Sequence, residues 1–576
     1  MRIIANYSFL EVFKRWGKEL LFLFIVVILF YLAIYYNYRH MGIESWKVPI
    51  MFCISSFLII LSIVWFPNKR STNLNRIDLL CLGYIIFLIL RNLISKDSNN
   101  LEPVYYVKWF LLICIYLISR NIPSIYTKHL IIAISTAGLA SWLLSLFANS
   151  GHAAAYLSIC FAGLLAFVLS KKILIKYSLY YVLLALLLLG LIITFSRGAI
   201  LAVLIALIFL TYNCLKNRPL IKGKTVFFLV LIPTVCIFLS FVLYRVRPES
   251  ADVRLLLWRV CGENFLHKPF FGYSPESLQS LYMYWQADYF QQHPDSFFVP
   301  FATNHYQSFN EIIHILCEQG IVGFLIIAYI TGYVLIKRNR KEYLPIKASL
   351  IALIVVSCFL YTFDILPIAI LLPLFIGLLN NTADTDGRKV IFIESKNGKK
   401  VKILTKCLLS ALCISVIFYS SLIFFKYDKV QKKIMNYIHE DSGIALTNED
   451  DNIIFRNRDM ALAYAGYSYQ EKDTSKRIEI LKRSSKKIPI SSMFLIIGDL
   501  YLQIEDFKEA ENCYLLAYHM VPDRMLPKYY LFNYYKQIKD SAKAKEWAII
   551  IMNSNPRIYN AVTIDIKHYA IEYLHN

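Results

Sequence analysis

The chain has 576 residues, 57% of them hydrophobic, and a mean hydropathy of +0.51, which is far more apolar than a soluble protein needs to cover its core. Its formal net charge is +22 at pH 7, but the Lys and Arg residues cluster in short loops between apolar segments, which argues against a nucleic-acid partner. The twelve Cys residues lie singly, with no C-x-x-C pair, so we expect neither a metal ion nor another cofactor.

Thirteen apolar segments are candidates for helices that cross the hydrocarbon core, which is about 30 Å thick. The segments are 20–36, 48–66, 77–94, 104–119, 129–148, 153–170, 177–194, 198–214, 225–244, 315–336, 347–364, 366–380 and 403–425. The short pair 347–364 and 366–380 also fits a helical hairpin that does not fully cross. The sequence therefore predicts an all-α protein with a polytopic bundle of transmembrane helices.

The distribution of basic residues predicts the orientation of this bundle. The N-terminus and every second loop after it carry Lys and Arg, which are retained on the cytoplasmic side. Because the number of predicted spans is odd, the long 245–312 loop and the residues from 426 onwards fall on the outer face. We therefore expect all candidate chemistry on that face.

These features divide the chain into five parts. Residues 1–244 hold the first nine spans, 245–312 form the outer loop, 313–425 hold the last four spans, and 426–454 link them to a C-terminal domain, 455–576. The outer loop is too long for a simple connector and contains helical patterns, for example Leu255, Leu256, Trp258 and Phe265. Its high aromatic content argues against disorder. We expect it to be folded and to carry site residues.

The C-terminal residues repeat with a fixed period. Three positions recur after 34 residues, the period of tetratricopeptide repeats, and they are Tyr501, Ala510 and Pro522, then Tyr535, Ala544 and Pro556. Gly498, Tyr514 and Ala517 complete the first unit, and an earlier, degenerate unit is expected at 455–489. We predict a soluble α-solenoid of two or three stacked hairpins. Two interpretations stay open, a surface that binds a protein segment and a structural cap on the membrane domain.

Short motifs follow one another on the predicted outer face. In chain order they are Phe195–Ser196–Arg197–Gly198–Ala199, Arg254-x-x-x-Trp258, Pro269–Phe270–Phe271–Gly272, Asn310–Glu311 and Glu318-x-Gly320-x-x-Gly323. Their order, shared face and long outer loop resemble the O-antigen ligase and O-antigen polymerase superfamily, which includes bacterial protein O-oligosaccharyltransferases. The resemblance covers roughly 190–340 in its motifs and 20–425 in topology.

The resemblance implies that a glycan is transferred from undecaprenyl pyrophosphate to an acceptor hydroxyl, without a metal ion. It places the reaction at the periplasmic face of the bacterial inner membrane, with the C-terminal domain in the periplasm. The partners would be the lipid-linked glycan, an acceptor that is either lipid A core or a protein, membrane lipids, and any protein bound by the repeats.

The resemblance also implies a set of site residues. Arg197 and Arg254 match the family pattern and are expected to hold the pyrophosphate, because guanidinium groups bind phosphate oxygens bidentately. Arg247 and Arg259 are neighbours that would join this phosphate site. The motif Asn310–Glu311 is expected to contact substrate.

Acceptor activation needs a general base, and His titrates in the appropriate range. In most family members His directly precedes the Asn of this motif, whereas in this chain Phe309 takes that place and the nearest His is His305. If 303–318 is a helix, positions 305 and 309 share a face, and His305 is the expected base. His293 and Glu311 stay open as alternative bases.

Other ionisable residues near the outer face have less specific expectations. Arg91 and Lys108 either line the path of the lipid-linked substrate or extend to the interface, and the pattern gives no reason for Asp364. His314 is expected to be packed or hydrogen-bonded, and His267 to be a loop residue without a role.

Several functions remain to be separated. Within the superfamily a ligase, a protein glycosyltransferase and a polymerase differ little in sequence, and a peptide-binding solenoid slightly favours the first two. A transporter or flippase would show internal repeats and polar residues along its spans, whereas these spans are mostly clean apolar runs. A membrane scaffold for the solenoid would not need so many spans or the arginines.

Overall fold

The computed structural model of this chain describes residues 22–31, 47–65, 76–94, 103–122, 124–143, 150–171, 178–216, 245, 248–337, 341–381, 398–438 and 447–575. Within these ranges every regular element is helical, as the sequence predicts. The predicted span 225–244 and Arg247 fall outside these ranges.

A helix is described at each of the first eight predicted spans. The helices are α1 (Phe22–Tyr31), α2 (Lys47–Trp65), α3 (Arg76–Ile94), α4 (Pro103–Arg120), α5 (Thr127–Leu143), α6 (Ser150–Lys171), α7 (Ser178–Thr194) and α8 (Arg197–Lys216). Most of their ends are close to the predicted ones, because the apolar runs are bounded by charged or turn-forming residues. The helices α1 and α5 are described only as far as Tyr31 and Leu143, short of their predicted ends at 36 and 148.

Helix α6 is central to this bundle, since it packs against α5, α7, α8 and the later helix α12 (Leu344–Ser357). Its small residues allow the approach. A Cβ atom on Gly163 would lie only 2.2 Å from Ser349 Oγ, so α6 and α12 are in direct backbone proximity at this point. Small residues at such contacts are typical of helix packing in membranes.

The predicted outer loop contains two helices, α9 (Pro248–Phe265) and α10 (Ser277–Gln292). The chain then forms α11 (Glu311–Ile336), α12, the short α13 (Leu366–Ala369), α14 (Leu371–Leu379) and the long α15 (Gly398–Ile438). The helices predicted within the loop are therefore present, and the loop is folded.

Four of the described helices, α4, α6, α11 and α15, are long and apolar enough to cross a membrane. Helix α12 has 14 residues and is about 21 Å long, less than the hydrocarbon thickness. The prediction of one span over 347–364 is wrong beyond Ser357, because the chain then enters a loop whose Phe363 N–H donates to Glu311 Oε2 (3.1 Å). The full set of thirteen spans stays a prediction.

The C-terminal residues form eight further helices. They are α16 (Asn448–Ile454), α17 (Arg458–Tyr467), α18 (Thr474–Lys487), α19 (Ser491–Gln503), α20 (Phe507–Met520), α21 (Met525–Gln537), α22 (Ser541–Asn553) and α23 (Ala561–His575). Helix α19 packs on α20 and α21 packs on α22, so consecutive helices form hairpins. Gly498 is needed for the first hairpin, because a Cβ there would lie 2.4 Å from the Tyr514 ring. The tetratricopeptide class of these hairpins stays a prediction.

Two hydrophobic cores cross the predicted domain boundaries. One joins α9, α10 and the start of α11 to the C-terminal helices, and it contains Leu257, Tyr282, Cys317, Tyr514 and Phe532. The other joins the apolar bundle to the first C-terminal helices, and it contains Tyr156, Phe375, Ile434, Ile454 and Met460. The outer helices and the C-terminal helices therefore share buried surface.

Polar contacts also join the outer helices to the C-terminal helices. Gln286 on α10 donates from Nε2 to Met520 O on α20 (2.6 Å). Lys487 Nζ lies 3.1 Å from Glu276 Oε2, and both side chains are mostly shielded from solvent. A mostly buried ion pair fixes geometry more than it adds stability, because removing either partner leaves an uncompensated charge.

A kink in α11 explains the glycine of the Glu318-x-Gly320 motif. Gly320 has φ +68°, which L-residues rarely adopt. The interruption leaves the N–H groups of Ile321 and Val322 to donate to Pro269 O (2.9 Å) and Phe270 O (3.2 Å). A Cβ on Gly320 would lie 2.2 Å from Phe270 O, so the Pro-Phe-Phe-Gly segment packs directly against the kink.

The glycine of the Pro-Phe-Phe-Gly segment serves the same contact. Gly272 has φ +66°, and a Cβ there would lie 2.4 Å from the carbonyl carbon of Glu318. Beside it, Tyr273 N donates to Cys317 O (2.8 Å). Arg91 of α3 then binds three carbonyls of this turn, those of Phe271 (2.9 Å), Gly272 and Tyr273 (2.6 Å each). Arg91 therefore attaches the outer segment to the bundle.

We predict that Gly320→Ala destabilises the protein, because the new Cβ would meet the Phe270 carbonyl and an L-residue would be forced to positive φ. The two effects together should cost about 2 kcal/mol or more. The measurement is the melting temperature of the full chain in detergent. Gly332→Ala is the matched control, since it lies on the same helix with nothing within 4 Å of its Cβ position. Equal melting temperatures for the two variants would contradict the prediction.

Candidate functional site

The Ser-Arg-Gly motif forms the start of α8. Phe195 turns the chain with φ +46°, and Arg197 is the first residue of the helix. Gly198 allows this end of α8 to approach the loop after α12, because a Cβ there would lie 3.0 Å from Phe359 Cβ. The motif therefore holds Arg197 beside the 358–365 loop.

Arg254 on α9 lies close to Arg197. Burial, and after it the positive charge of Arg197, lowers the pKa of Arg254. The Arg254 guanidinium carbon is 5.6 Å from the centroid of the Phe309 ring, which gives it a cation–π contact. The like charges of the two guanidinium groups repel each other, and a phosphate group bound by both would lower this repulsion.

The segment that carries His305 is not the helix that the sequence suggested. Residues 302–310 are irregular, and α11 begins only at Glu311. The condition that 303–318 is a helix is not met in its first half, because Phe309 takes φ +49° and the Asn310 side chain accepts from the N–H groups that begin α11. Trp258 holds the turn through Nε1–H to Ser308 O (3.0 Å).

His305 and Phe309 are nevertheless adjacent. Their ring centroids are 5.7 Å apart with an edge-to-face angle of 89°, so the turn achieves the proximity expected from a helix. Burial lowers the pKa of His305 to about 4. Its imidazole is therefore neutral at pH 7 and able to accept a proton.

The Asn310–Glu311 motif is engaged with backbone groups. Asn310 Oδ1 accepts from Ile312 N (2.9 Å) and Ile313 N (3.3 Å), which caps α11. Glu311 is buried and its Oε2 accepts from Phe363 N (3.1 Å). Both side chains therefore have structural contacts that join the His305 turn, α11 and the 358–365 loop.

A second set of charges borders the turn. Lys108 Nζ lies 3.4 Å from Asp364 Oδ1, and Gln307 Nε2 donates to Asp364 Oδ2 (3.0 Å). Asp364 thus connects α4 to the segment that carries His305. These contacts give Lys108 and Asp364 defined partners, which the sequence pattern did not provide.

Aromatic contacts between Tyr361 and Phe309 also contribute to the site. Tyr361 packs on Phe309 with ring centroids 5.3 Å apart, and its hydroxyl lies 2.9 Å from His152 Nε2. The Phe309 ring is therefore in contact with Arg254, His305 and Tyr361. We call the group of Arg197, Arg254, His305, Phe309 and Tyr361 the arginine–histidine cluster.

The predicted residues Arg259, His293 and His314, which the structure describes, do not join this cluster. Arg259 is exposed and pairs with Glu263 one turn further along α9, on a different side from Arg254. His293 is exposed and stacks on Tyr289 (4.8 Å). His314 is buried with its Nε2 3.1 Å from Glu318 Oε1, in agreement with a packed, hydrogen-bonded role.

Sequence reasoning overlooked Gln307, His152 and Tyr361. They come from separate parts of the chain, and no spacing rule connects them. The polar run before Asn310 was the one signal that marked Gln307. Lys108 and Asp364 were noticed as charges at the ends of apolar segments, but their pairing required the fold.

Comparison with known proteins agrees with the motif assignment. Residues 182–328, which are 147 of the 576 residues, match the family model described as O-antigen ligase. The matched range contains Arg197, Arg254 and His305. No curated protein matches the chain. The match supports a glycan-transferring enzyme of the ligase-like or polymerase-like kind, and together with the apolar helices it indicates a multi-pass membrane protein.

Proposed function

We propose that this protein is an O-antigen ligase-like glycosyltransferase that moves a glycan from undecaprenyl pyrophosphate to an acceptor hydroxyl. The observation that carries the proposal is the placement of Arg254 next to both Arg197 and the Phe309 ring that His305 contacts. Anion-binding groups and a neutral imidazole thus meet in one cluster. These are the groups that such a transfer needs, and they lie within the range matched by the ligase family.

In the proposed reaction, the acceptor oxygen forms a bond to the anomeric carbon as the bond from that carbon to the pyrophosphate oxygen breaks. The bonding electrons leave with the pyrophosphate, whose growing negative charge Arg197 and Arg254 stabilise. The acceptor proton goes to His305. We further propose that these arginines, rather than a metal ion, supply the positive charge.

The turn residues have a positioning role in this scheme. Asn310 and Glu311, first expected to contact substrate, use their side-chain oxygens on backbone N–H groups. We propose that they fix the turn and thereby set the distance between His305 and the arginines. Gln307 and Asp364 restrain the same turn from the side of α4.

We place this reaction at the periplasmic face of the bacterial inner membrane, with thirteen spans and the C-terminal helices outside the cytoplasm. Alternating basic loops support this orientation. We also propose that the hairpins α19–α20 and α21–α22 are tetratricopeptide-like, since α21 begins 34 residues after α19 and α22 begins 34 residues after α20.

The function is tested by the envelope glycans of a deletion strain complemented with wild-type, Arg197→Ala or Arg254→Ala protein. Loss of a ligase leaves finished polymer on the lipid carrier, and we expect neither alanine variant to restore transfer at normal membrane levels. Arg→Lys should rescue poorly, because a point charge cannot reproduce two parallel hydrogen bonds. Single repeat units on lipid A core would identify a polymerase instead, and lost protein glycosylation with intact lipopolysaccharide a protein transferase. An unchanged profile would contradict the proposal.

His305→Ala should reduce transfer by roughly 10²–10⁴-fold, the usual contribution of a positioned base, while lipid-linked donor still binds. Because the rings of His305 and Phe309 are in contact, the double change His305→Phe with Phe309→His keeps an imidazole at the cluster. The assay compares initial transfer rates of the double variant and of His305→Phe. Recovery in the double variant supports the base assignment, and wild-type rates in His305→Ala would remove it in favour of Glu311.

The pH profile of kcat/KM provides the control for this assignment. A base whose pKa is about 4 is deprotonated above that value, so activity should be constant as the pH falls from 8 and decrease only at more acid pH. A His with an ordinary pKa would make kcat/KM decrease at about pH 6.5. A decrease of kcat/KM at about pH 6.5 in wild type that is absent in His305→Ala would contradict the prediction, because His305 would then titrate as an ordinary exposed His.

The orientation is tested with a reporter that is active only outside the cytoplasm. Inserted after Asp295, in the exposed turn that follows α10, or fused after Asn576, it should be active. Inserted after Asn217 it should be silent, because basic residues surround that position. Activity at Asn217 would reverse the orientation.

A further inference from the structure

One arginine of the C-terminal helices lies against the arginine–histidine cluster. Arg458 is the first residue of α17, whose start is capped by Asn457 through Met460 N (2.8 Å). The Arg458 guanidinium carbon is 3.5 Å from the centroid of the Tyr306 ring. Tyr306 directly follows His305, so this stacked pair borders the proposed base.

Arg458 also lies within electrostatic range of Tyr361 and Asp364, which belong to the 358–365 loop. Tyr361 packs on Phe309, the ring that also contacts Arg254. Arg458 and Arg254 therefore lie over two aromatic residues, Tyr306 and Phe309, that both follow His305 in the same irregular segment.

The contacts of Arg458 leave its hydrogen-bonding edge available. Stacking on Tyr306 uses the face of the guanidinium plane and leaves the N–H donors in that plane. Its Nε is buried and has no hydrogen-bond partner among the residues that the structure describes. The nearby carboxylate of Asp364 already pairs with Lys108 and accepts from Gln307. A shielded donor without a partner is costly, and an anionic ligand would satisfy it.

We propose that Arg458 is a third anion-binding arginine of the site and binds phosphate oxygens of the pyrophosphate group of the lipid-linked donor. The proposal rests on the proposed function. Each non-bridging oxygen of a pyrophosphate diester can accept more than one hydrogen bond, so a third arginine can bind beside two bidentate ones. The C-terminal helices then contribute directly to donor binding.

The test measures binding of inorganic pyrophosphate to the purified full-length protein in detergent by isothermal titration calorimetry. Arg458→Ala should weaken binding by roughly tenfold or more, as expected for the loss of charge-assisted hydrogen bonds, and Arg458→Lys should recover only part of it. Tyr306→Leu should weaken binding because the stacking surface is lost, whereas Tyr306→Phe should keep it. Arg477→Ala is the matched control. The Nε of Arg477 on α18 is also buried without a hydrogen-bond partner among the described residues, but no contact joins Arg477 to the His305 turn, so this variant should bind as wild type.

Several outcomes would overturn the proposal. Unchanged pyrophosphate affinity in both Arg458→Ala and Arg458→Gln, with a lower kcat and an unchanged KM for donor, would make Arg458 a residue that only holds the His305 turn. Melting temperatures identify variants that fail to fold. If both Arg458→Ala and Arg458→Gln fail to fold, unchanged pyrophosphate affinity in Tyr306→Leu together with full affinity in Arg458→Lys would overturn the proposal. Absence of pyrophosphate binding by wild type would also overturn it.

The same experiment separates this inference from the proposed function. If Arg197→Ala loses pyrophosphate binding and Arg458→Ala keeps it, the proposed glycan transfer is unaffected, but Arg458 has no part in donor binding. Pyrophosphate binding that depends on both arginines, in a protein whose deletion changes no envelope glycan, would support the anion site and reject the transfer.

Discussion

The turn at Phe309 is the constraint on which the rest of the candidate site depends. Its positive φ ends the irregular segment in a tight turn, so the rings of His305 and Phe309 meet within a few residues. Asn310 then caps α11, which fixes the turn to a rigid helix. A bulky residue at positive φ stores strain that the surrounding contacts must offset, and Trp258 and Arg254 supply two of those contacts. Strain of this kind is common where a fold must hold reactive groups in one geometry.

The motifs that contain Gly272 and Gly320 contact each other, and this contact supports the His305 turn. The kink at Gly320 and the turn at Gly272 exchange backbone hydrogen bonds, and Arg91 fastens that junction to α3. The outer helices are thereby held against the bundle at the same helix, α11, whose start carries the His305 turn. The C-terminal helices also pack against the outer helices, through a common hydrophobic core. The outer segment is thus held between two bodies, which favours a preorganised site over a mobile loop.

Much of the fold was predictable because long apolar runs have few alternatives in a membrane. The helices α2 to α8 begin and end near the predicted residues, and the helical patterns within the outer loop correctly indicated α9 and α10. Failures occurred where polar contacts outweigh helical periodicity. The helix considered over 303–318 begins only at Glu311, because the Asn310 side chain accepts from the first N–H groups. The segment after Ser357 leaves the helix where Glu311 binds its backbone.

The sequence by itself determined the all-helical class, the basic-loop pattern and the identity of Arg197, Arg254 and His305 as candidates, since composition, charge and motif order are local properties of the chain. Only the tertiary structure decided which of the candidates meet. Arg259 points away because it lies on another side of α9, while Lys108, Asp364 and Arg458 come to the turn from helices and loops far apart in sequence. Proximity between such residues depends on how helices pack, and packing is set by the sum of many buried contacts that no single motif records.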